Sequence, residues 1–364
     1  MEISRQIEII KKGTVDIILE DELRAKLERS LKEKKPLKVK LGIDATAPEI
    51  HLGFAVVLRK LRQFQELGHT AILIVGDFTG KIGDPSGQSR TRPQLSDLEI
   101  KANMATYTEQ ILRILREDRT EFKYNSEWSD RLKASDVVRL ASKETVARML
   151  ERDDFAKRYE NGQPISMHEL LYPIFMAYDS VAVEADVELG GSDQRFNILV
   201  GRNLQKEFGQ EPQVAVILPL LEGVDGVRKM SKSYGNSIGI CEPPREMFGK
   251  VMSIPDNLIL SYFQLAAGYS DGELRKVEKA VSLPTTNPRD LKAELAREIV
   301  KAYHSEEAAN SASEEFDRIF RGKGVPDEIP TFKLYWDEEK IWIVKLLTET
   351  GTAPSASEAR RLIS

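Results

Sequence analysis

The 364-residue sequence predicts an α/β fold: a doubly wound parallel sheet that contains a helical insertion and is followed by a helical region. Between Leu37 and Leu218, short β-rich runs alternate with segments of helical periodicity. Glycine-rich loops follow several of these runs. After about residue 240 the strand pattern stops and helical periodicity alone remains.

The predicted strands are short β-rich runs, and the one at 70–76 is almost continuously apolar, as expected for a strand buried in a parallel sheet. They cover residues 37–43, 70–76, 120–125, 185–191 and 213–220. The helix after the first strand is amphipathic and ends at Gly68, because its apolar residues recur at helical spacing. These residues are Phe54, Val57, Leu58, Leu61 and Phe64. Ser166 and Glu169 form a capping box that predicts the start of a helix within the insertion.

Composition shifts and proline positions predict the domain boundaries. The expected parts are a catalytic domain at 1–225 with a helical insertion at about 126–180, a loop at 226–240, a helical domain at 241–323, a linker at 324–340 and a final helical segment at 341–364.

Composition indicates a globular protein, with 41% hydrophobic and 30% charged residues. The net charge of −5 gives no global indication of a nucleic-acid partner. No apolar run approaches the roughly 18 residues of a membrane span, and the N-terminus does not read as a signal peptide. Cys241 is the only cysteine, which favours a reducing cytoplasm. Together with four widely spaced histidines, it offers no zinc-like spacing.

Loops after the strands are where doubly wound sheets bind ligands. Three such loops, at 42–54, 76–88 and 188–197, combine glycine with Asp, His or Gln. A fourth segment, 228–234, reads "RKMSKSY" and sets two lysines and two hydroxyls where they can meet an anion. Each loop alone is more often an ordinary turn. Neither a Walker loop nor a dinucleotide fingerprint is present.

In order, the loops resemble a known family. "HLGF" (51–54) and "KMSKS" (229–233) resemble the two signatures of class I aminoacyl-tRNA synthetases. The motifs between them narrow the resemblance to bacterial tyrosyl-tRNA synthetases over nearly the whole chain; they include "GDFTGKIGDPSG", "YNSEW", "ISMHELLYP" and "GGSDQRFN". "TAPSASEARRLIS" is similar to the opening of that family's S4-like RNA-binding domain, and we expect most of that domain to be missing.

The resemblance implies a Rossmann-like catalytic domain that activates L-tyrosine with ATP. Tyrosyl-adenylate and pyrophosphate form first, and tyrosine is then transferred to tRNA(Tyr). The tyrosine carboxylate is already a nucleophile, so the site must supply placement and positive charge rather than a general base. Mg²⁺ on the ATP phosphates and a homodimer are implied as well.

The resemblance also implies the site residues. The expected catalytic residues are Thr46, His51, Lys229, Lys232 and Ser233. The expected ATP-binding residues are Gly42, Asp44, Thr46, His51, Gly53, Gly191, Asp193 and Lys232. The expected tyrosine-binding residues are Asp84, Tyr172, Met176, Asp179 and Gln194. Tyr172, Met176 and Asp179 share one helix face by spacing alone; a core stripe would space its residues likewise, but a buried Asp at its end would be expensive.

Three residues depart from the family pattern: Phe54 replaces a histidine, Met176 a glutamine and Ala45 a proline. Phe54 is expected to pack on the apolar helix face. These departures keep open a catalytically weakened paralogue that binds RNA or another partner. A third reading, the tryptophan enzyme or another nucleotidyl transferase, is disfavoured because Asp179 suits a phenol and the S4-like tail is typical of the tyrosyl enzymes.

Overall fold

The computed structural model describes residues 1–44, 49–83, 97–320 and 341–363. Within these ranges the strands are β1 (Asp16–Ile18), β2 (Lys38–Ile43), β3 (Thr70–Val75), β4 (Thr120–Tyr124), β5 (Val187–Gly191) and β6 (Val214–Leu218). They form one sheet in the order β1-β6-β5-β2-β3-β4. All neighbouring strands run parallel except β1, which is antiparallel to β6.

The predicted sheet is therefore confirmed, with the antiparallel edge strand β1 as an unpredicted addition. The first half of the chain contains the helices α1 (Ile3–Lys11), α2 (Glu20–Glu33), α3 (Leu52–Glu66), α4 (Thr79–Ile82), α5 (Asp97–Leu112), α6 (Ser126–Ser129), α7 (Ala134–Ala141), α8 (Val146–Met149), α9 (Asp153–Glu160) and α10 (Met167–Val183). The second half contains α11 (Arg195–Glu207), α12 (Pro244–Met252), α13 (Ile259–Tyr262), α14 (Asp271–Ser282), α15 (Pro288–Tyr303), α16 (Glu306–Phe320), α17 (Ile343–Glu349) and α18 (Ala356–Ile363).

The strand order places a topological switch point between β2 and β5. From β2 the chain proceeds through α3 to β3 and β4 on one side, and it returns after the helices α6 to α10 to place β5 on the other. The loops beyond β2 and β5 consequently separate and leave a crevice at their carboxyl ends.

Helix α10 forms one wall of this crevice. The predicted capping box is confirmed at its start, where the backbone N–H of Ser166 donates to Glu169 Oε2 at 2.9 Å. The same carboxylate forms a buried ion pair with Arg158 at 2.7 Å. Pro173 lies inside the helix, and residues on both sides of it line the crevice, namely Tyr172, Met176 and Asp179.

The chain divides into two compact units, residues 1–313 and 314–364. The sheet and the crevice belong to the first unit. In the second unit, Val344, Ala353 and Ala359 form a small core with Leu347 packed against it. The predicted linker at 324–340 lies outside the described residues. No helix in the described part of the chain is both long and apolar enough to cross a membrane.

Candidate active site

A cavity of about 280 Å³ lies at the switch point. The sequence-predicted residues that line it are Gly42, Asp44, His51, Gly53, Tyr172, Met176, Asp179, Gly191, Asp193, Gln194 and Lys229. They come from the ends of β2 and β5, the start of α3, helix α10 and the loop after β6. The fold thus brings together residues up to 187 positions apart in the sequence, from Gly42 to Lys229.

Four predicted residues are not among those lining residues. Thr46 and Asp84, like the departing residue Ala45, lie outside the described residues. Lys232 is half-buried beside the cavity mouth, where its ammonium group forms an ion pair with Glu49. Ser233 is exposed.

Asp179 is the most deeply buried acid of the cavity, with 3% of its surface exposed. Its Oδ1 accepts a hydrogen bond from Trp128 Nε1 at 2.8 Å, and its Oδ2 accepts one from Asn125 Nδ2 at 3.2 Å. Burial raises the pKa of Asp179 to about 7, although Lys40 and these two donors oppose the shift. A group that donates to this carboxylate from the cavity would be held strongly.

A chain of hydrogen bonds runs from Asp179 to the other end of the cavity. Asn125 Nδ2 also donates to Thr79 Oγ1 at 3.0 Å, and Thr79 Oγ1 donates to Asp44 Oδ1 at 3.0 Å. The Tyr172 hydroxyl donates to Asp44 Oδ2 at 2.7 Å. Asp44 and Asp179, two of the three carboxylates that line the cavity, are therefore linked through Thr79 and Asn125.

Gly76 makes this arrangement possible. A Cβ atom at Gly76 would lie 2.0 Å from Asp44 Oδ1 and 2.4 Å from Thr79 Oγ1. Any side chain there would displace the Asp44 carboxylate from the hydrogen-bond chain. This glycine, at the end of β3, belongs to the loop that the sequence singled out.

His51 is the N-cap of α3, and its Nδ1 accepts the backbone N–H of Phe54 at 3.3 Å. The ring proton therefore belongs on Nε2, which makes this nitrogen a hydrogen-bond donor. Burial, together with the positive charges of Lys232 and Lys229, lowers the pKa of His51 to about 4. At neutral pH the imidazole is uncharged and acts as a donor at a helix N-terminus, a position that favours anions.

Lys229 faces the cavity and forms an ion pair with Asp193. The loop that carries it is fixed at both sides: Met230 N–H donates to the carbonyl of Leu221 at 2.8 Å, and Ser231 N–H donates to Asn236 Oδ1 at 2.8 Å. The "KMSKS" segment thus places one lysine at the cavity and the other at its rim.

Phe54 and Met176, the departures from the family pattern, both line the cavity. Phe54 is half-buried, so its expected place in the buried stripe of α3 holds only in part. Met176 is also half-buried and packs against a core cluster formed by Ile198, Ala215 and Ile217. The Met176 side chain therefore packs against this cluster and also lines the cavity.

Sequence reasoning assigned no role to Asn125, Trp128 or Thr79. Asn125 follows β4 directly, at the carboxyl end of a parallel strand, and this position could have indicated a site residue. Trp128 lies in the quoted motif "YNSEW" but reaches Asp179 only because α6 packs near α10. Within the described residues, no group of three or more His, Cys, Asp or Glu side chains is placed to hold a metal ion.

The sequence model of the family described as class I tRNA synthetases for tryptophan and tyrosine matches residues 32–321. This chain belongs to that family. As a class I tRNA synthetase it is similar over its whole length to curated relatives. It is 54% identical over 362 residues to the tyrosine–tRNA ligase of Moorella thermoacetica, covering 100% of this chain and 87% of the relative. It is 56% identical over 366 residues to that of Carboxydothermus hydrogenoformans, covering 100% and 89%.

Solved structures share the fold of this class I synthetase. The tyrosyl-tRNA synthetase of Archaeoglobus fulgidus, complexed with L-tyrosine, matches with a TM-score of 0.69 at 23% identity, covering 86% of this chain and 100% of that one. That of Aeropyrum pernix matches with a TM-score of 0.68 at 21% identity, covering 86% and 98%. At such identities the match establishes the fold alone.

Proposed function

We propose that the chain is a tyrosine–tRNA ligase that activates L-tyrosine with ATP at the switch-point cavity and then transfers it to tRNA(Tyr). The observation that carries this proposal is Asp179: a buried carboxylate that lines the cavity and is held by Trp128 and Asn125. The relatives named tyrosine–tRNA ligase, 54% and 56% identical over the full chain, support the same activity.

In the tyrosine site, the phenol hydroxyl donates to Asp179. Tyr172 lies at the other end of the hydrogen-bond chain and receives the ammonium group through its phenol oxygen. Asp44, which the family pattern assigns to ATP, is bonded to Tyr172 and is proposed here as an acceptor for the ammonium group as well. Asp84 is proposed as a further acceptor from the family pattern alone. Gln194 and Met176 line the remaining wall.

In the ATP site, the uncharged His51 donates from Nε2 to a phosphate oxygen near the start of α3. Gly42, Gly53 and Gly191 leave room for the nucleotide, Asp193 accepts from the ribose hydroxyls, and Thr46 joins the phosphate contacts by the family pattern. Asp193 is paired with Lys229 in this structure, so ATP binding exchanges that partner for the ribose.

In the chemical step, a tyrosine carboxylate oxygen bonds to the α-phosphorus of ATP. At the same time the bond between the α-phosphorus and the oxygen that bridges the α- and β-phosphates breaks. Pyrophosphate leaves with the bonding electron pair, and no proton moves. Lys229 and Lys232 stabilise the negative charge that the leaving group gains, and Ser233 adds a hydroxyl donor. Lys232 must first leave Glu49, a partly exposed pair whose separation costs roughly 0–1 kcal/mol.

Mg²⁺ enters as part of the substrate, bound to the ATP phosphates. The side chains near the cavity fit this better than a resident ion, because Asp44 accepts from Thr79 and Tyr172 while Asp193 is paired with Lys229. The ion would neutralise charge on the phosphates. We also place the reaction in the cytoplasm, in keeping with a single free cysteine, Cys241.

We propose a homodimer as the working form. Four apolar side chains on the insertion helices are 62–74% exposed, namely Val138, Val146, Tyr159 and Met167. We propose these side chains as part of the surface that a second copy covers. Sedimentation should give a dimer for the parent and a monomer for Met167→Asp, whereas Leu31→Asp, an exposed site on α2, should leave the dimer intact.

The activity is tested by amino-acid-dependent exchange of labelled pyrophosphate into ATP, with tyrosine, tryptophan and phenylalanine supplied in turn. Exchange with tyrosine alone supports the proposal. Exchange with tryptophan would make it the tryptophan enzyme. Absence of exchange would instead support the weakened paralogue, a reading that the relatives named as ligases do not favour.

A further inference from the structure

A buried ion pair lies beneath the cavity floor. Lys40 and Glu188 are directly paired residues of the neighbouring parallel strands β2 and β5. Their side chains are 0% and 1% exposed, and Lys40 Nζ lies 2.9 Å from Glu188 Oε1. Neither residue lines the cavity itself.

The pair is joined to helix α10 at the turn that carries Asp179. Lys40 Nζ donates to Ser180 Oγ at 2.8 Å and to the carbonyl of Met176 at 3.2 Å. Ser180 Oγ in turn donates to Glu188 Oε2 at 3.2 Å, and Gln213 Nε2 donates to the same oxygen. Lys40 therefore holds the helix turn from Met176 to Ser180, which contains Asp179, against the sheet.

Stability alone does not account for such a pair. Removing two charges from water is costly, and apolar residues of similar volume are often as stable or more stable in the same place. The position of the pair accounts for it better, because the positive end lies on the α10 side and next to the turn of Asp179.

We propose that Lys40 is a positioning residue for tyrosine selection: it anchors the turn that presents Asp179 and supplies a positive charge behind that carboxylate, which Glu188 moderates. This proposal rests on the proposed function, since Asp179 selects tyrosine only if the cavity binds it. Lys40 does not contact the substrate and acts through Asp179.

The charges that face Asp179 come from several elements. Burial raises its pKa, while Lys40 on β2 and the hydrogen bonds from Trp128 and Asn125 lower it, and Glu188 on β5 raises it. On the cavity side, its nearest titratable neighbours through the hydrogen-bond chain are Asp44 and Tyr172. Lys40 is thus the one basic side chain that lowers the pKa of Asp179 within the described residues.

The charge state of Asp179 decides how strongly phenylalanine is rejected. When the substrate offers no hydrogen-bond donor, a buried carboxylate costs much more free energy than a buried carboxylic acid in the same place. Loss of the positive charge behind Asp179 would favour the neutral acid. Tyrosine would then bind more weakly at neutral pH, and the binding of phenylalanine would be penalised less than in the parent.

The test compares the parent with Lys40→Met, Glu188→Gln and the double variant. The dissociation constant of tyrosine, without ATP, is measured from pH 5.5 to 9, and the tyrosine-to-phenylalanine ratio is measured by pyrophosphate exchange. Tyrosine binding should weaken as the pH falls and Asp179 is protonated. In Lys40→Met the midpoint of this loss should lie at a pH higher by about half a unit or more, and the tyrosine-to-phenylalanine ratio should fall by about tenfold. In Glu188→Gln that pH should fall.

Shifts of opposite sign distinguish a charge effect from structural damage, which would weaken binding at every pH. The double variant removes both charges, so it leaves no buried unpaired charge. Its pH midpoint for tyrosine binding should shift in the same direction as that of Lys40→Met, but by less. If Lys40→Met does not fold, the pH dependence of tyrosine binding in Glu188→Gln and in the double variant tests the proposal. Unchanged pH profiles in folded variants would overturn the proposal for Lys40. A parent that binds no tyrosine would overturn the proposed function itself.

Discussion

Trp128 Nε1 donates to Asp179 Oδ1 at 2.8 Å, and Asp179 lines the cavity. This bond stabilises the charged form of a carboxyl group whose pKa burial raises to about 7. The indole thus holds Asp179 in place and favours its ionised state, the form that accepts the phenol hydroxyl of tyrosine in the proposed function.

Replacement of Trp128 by Phe should weaken tyrosine binding by about 1.5–3 kcal/mol, the usual contribution of a hydrogen bond to a charged group. The loss should grow as the pH falls, because the carboxyl group without this donor protonates more easily. Calorimetric titration with tyrosine at pH 6 and pH 8 measures both effects. Trp342→Phe, an exposed site on the second unit, is the matched control and should bind as the parent does.

Lys232→Ala should slow adenylate formation by orders of magnitude and leave the tyrosine dissociation constant almost unchanged. Its charge is needed where pyrophosphate leaves, and in the unliganded enzyme it is paired with Glu49 outside the cavity lining. Single-turnover kinetics and equilibrium titration separate the two quantities. Lys11→Ala, which breaks a partly exposed pair with Glu20 at 2.8 Å, is the control. Equal losses in binding and turnover would mean that Lys232 already stabilises the bound substrate before the reaction, and not mainly the transition state.

Met176→Gln should tighten tyrosine binding by roughly 1–2 kcal/mol if the amide reaches the ammonium group. The same change should lower the free energy of unfolding, because Met176 also packs against Ile198, Ala215 and Ile217. Tyrosine titration and urea unfolding of the same preparation measure the two terms. Weaker binding together with lower stability would mean that the cavity depends on methionine at this position.

Lys60 provides a pH-dependent term in stability that is independent of the cavity. Its side chain is 4% exposed and donates to the carbonyls of Ile9, Ile10 and Lys12 at the end of α1. Burial, together with the positive charge of Lys12, lowers the pKa of Lys60 from 10.5 to about 8. Between about pH 8 and 10.5 the unfolded chain binds more protons, so this residue's contribution to stability rises with pH.

The measurement is the difference in unfolding free energy between the parent and Lys60→Met, taken at pH 7.5 and pH 10. The parent should gain stability relative to the variant by up to about 3 kcal/mol, the equivalent of the change in pKa. A difference that stays constant, or falls as the pH rises, would contradict the lowered pKa.

Much of the fold follows from local sequence pattern. The apolar runs predicted β2 to β6, each to within two residues at either end, and the capping box predicted the start of α10. β1 was not predicted, because its three residues have too little pattern and gain their strand geometry only by pairing with β6. Helical spacing correctly put Tyr172, Met176 and Asp179 on one face toward the cavity.

The partners of Asp179 could not be predicted in the same way. Lys40 reads in sequence as a polar residue of an alternating strand, and its partner Glu188 lies on a strand 148 positions later. Only the pairing of β2 with β5 brings the two charges together. The same holds for Asn125 and Trp128, which reach Asp179 across the crevice by tertiary packing.

The central claim is that Asp179 selects tyrosine at this cavity. Its most direct test is the ratio of kcat/KM for tyrosine to that for phenylalanine in pyrophosphate exchange, in the parent and in Asp179→Ala. Tyrosyl-tRNA synthetases are themselves the reference case for such selectivity, about 10⁵, and we expect a parent of that order, since phenylalanine offers this buried carboxylate no hydroxyl donor. The ratio should fall by at least about 10² in Asp179→Ala. A variant that still prefers tyrosine by the parent's margin would contradict the claim.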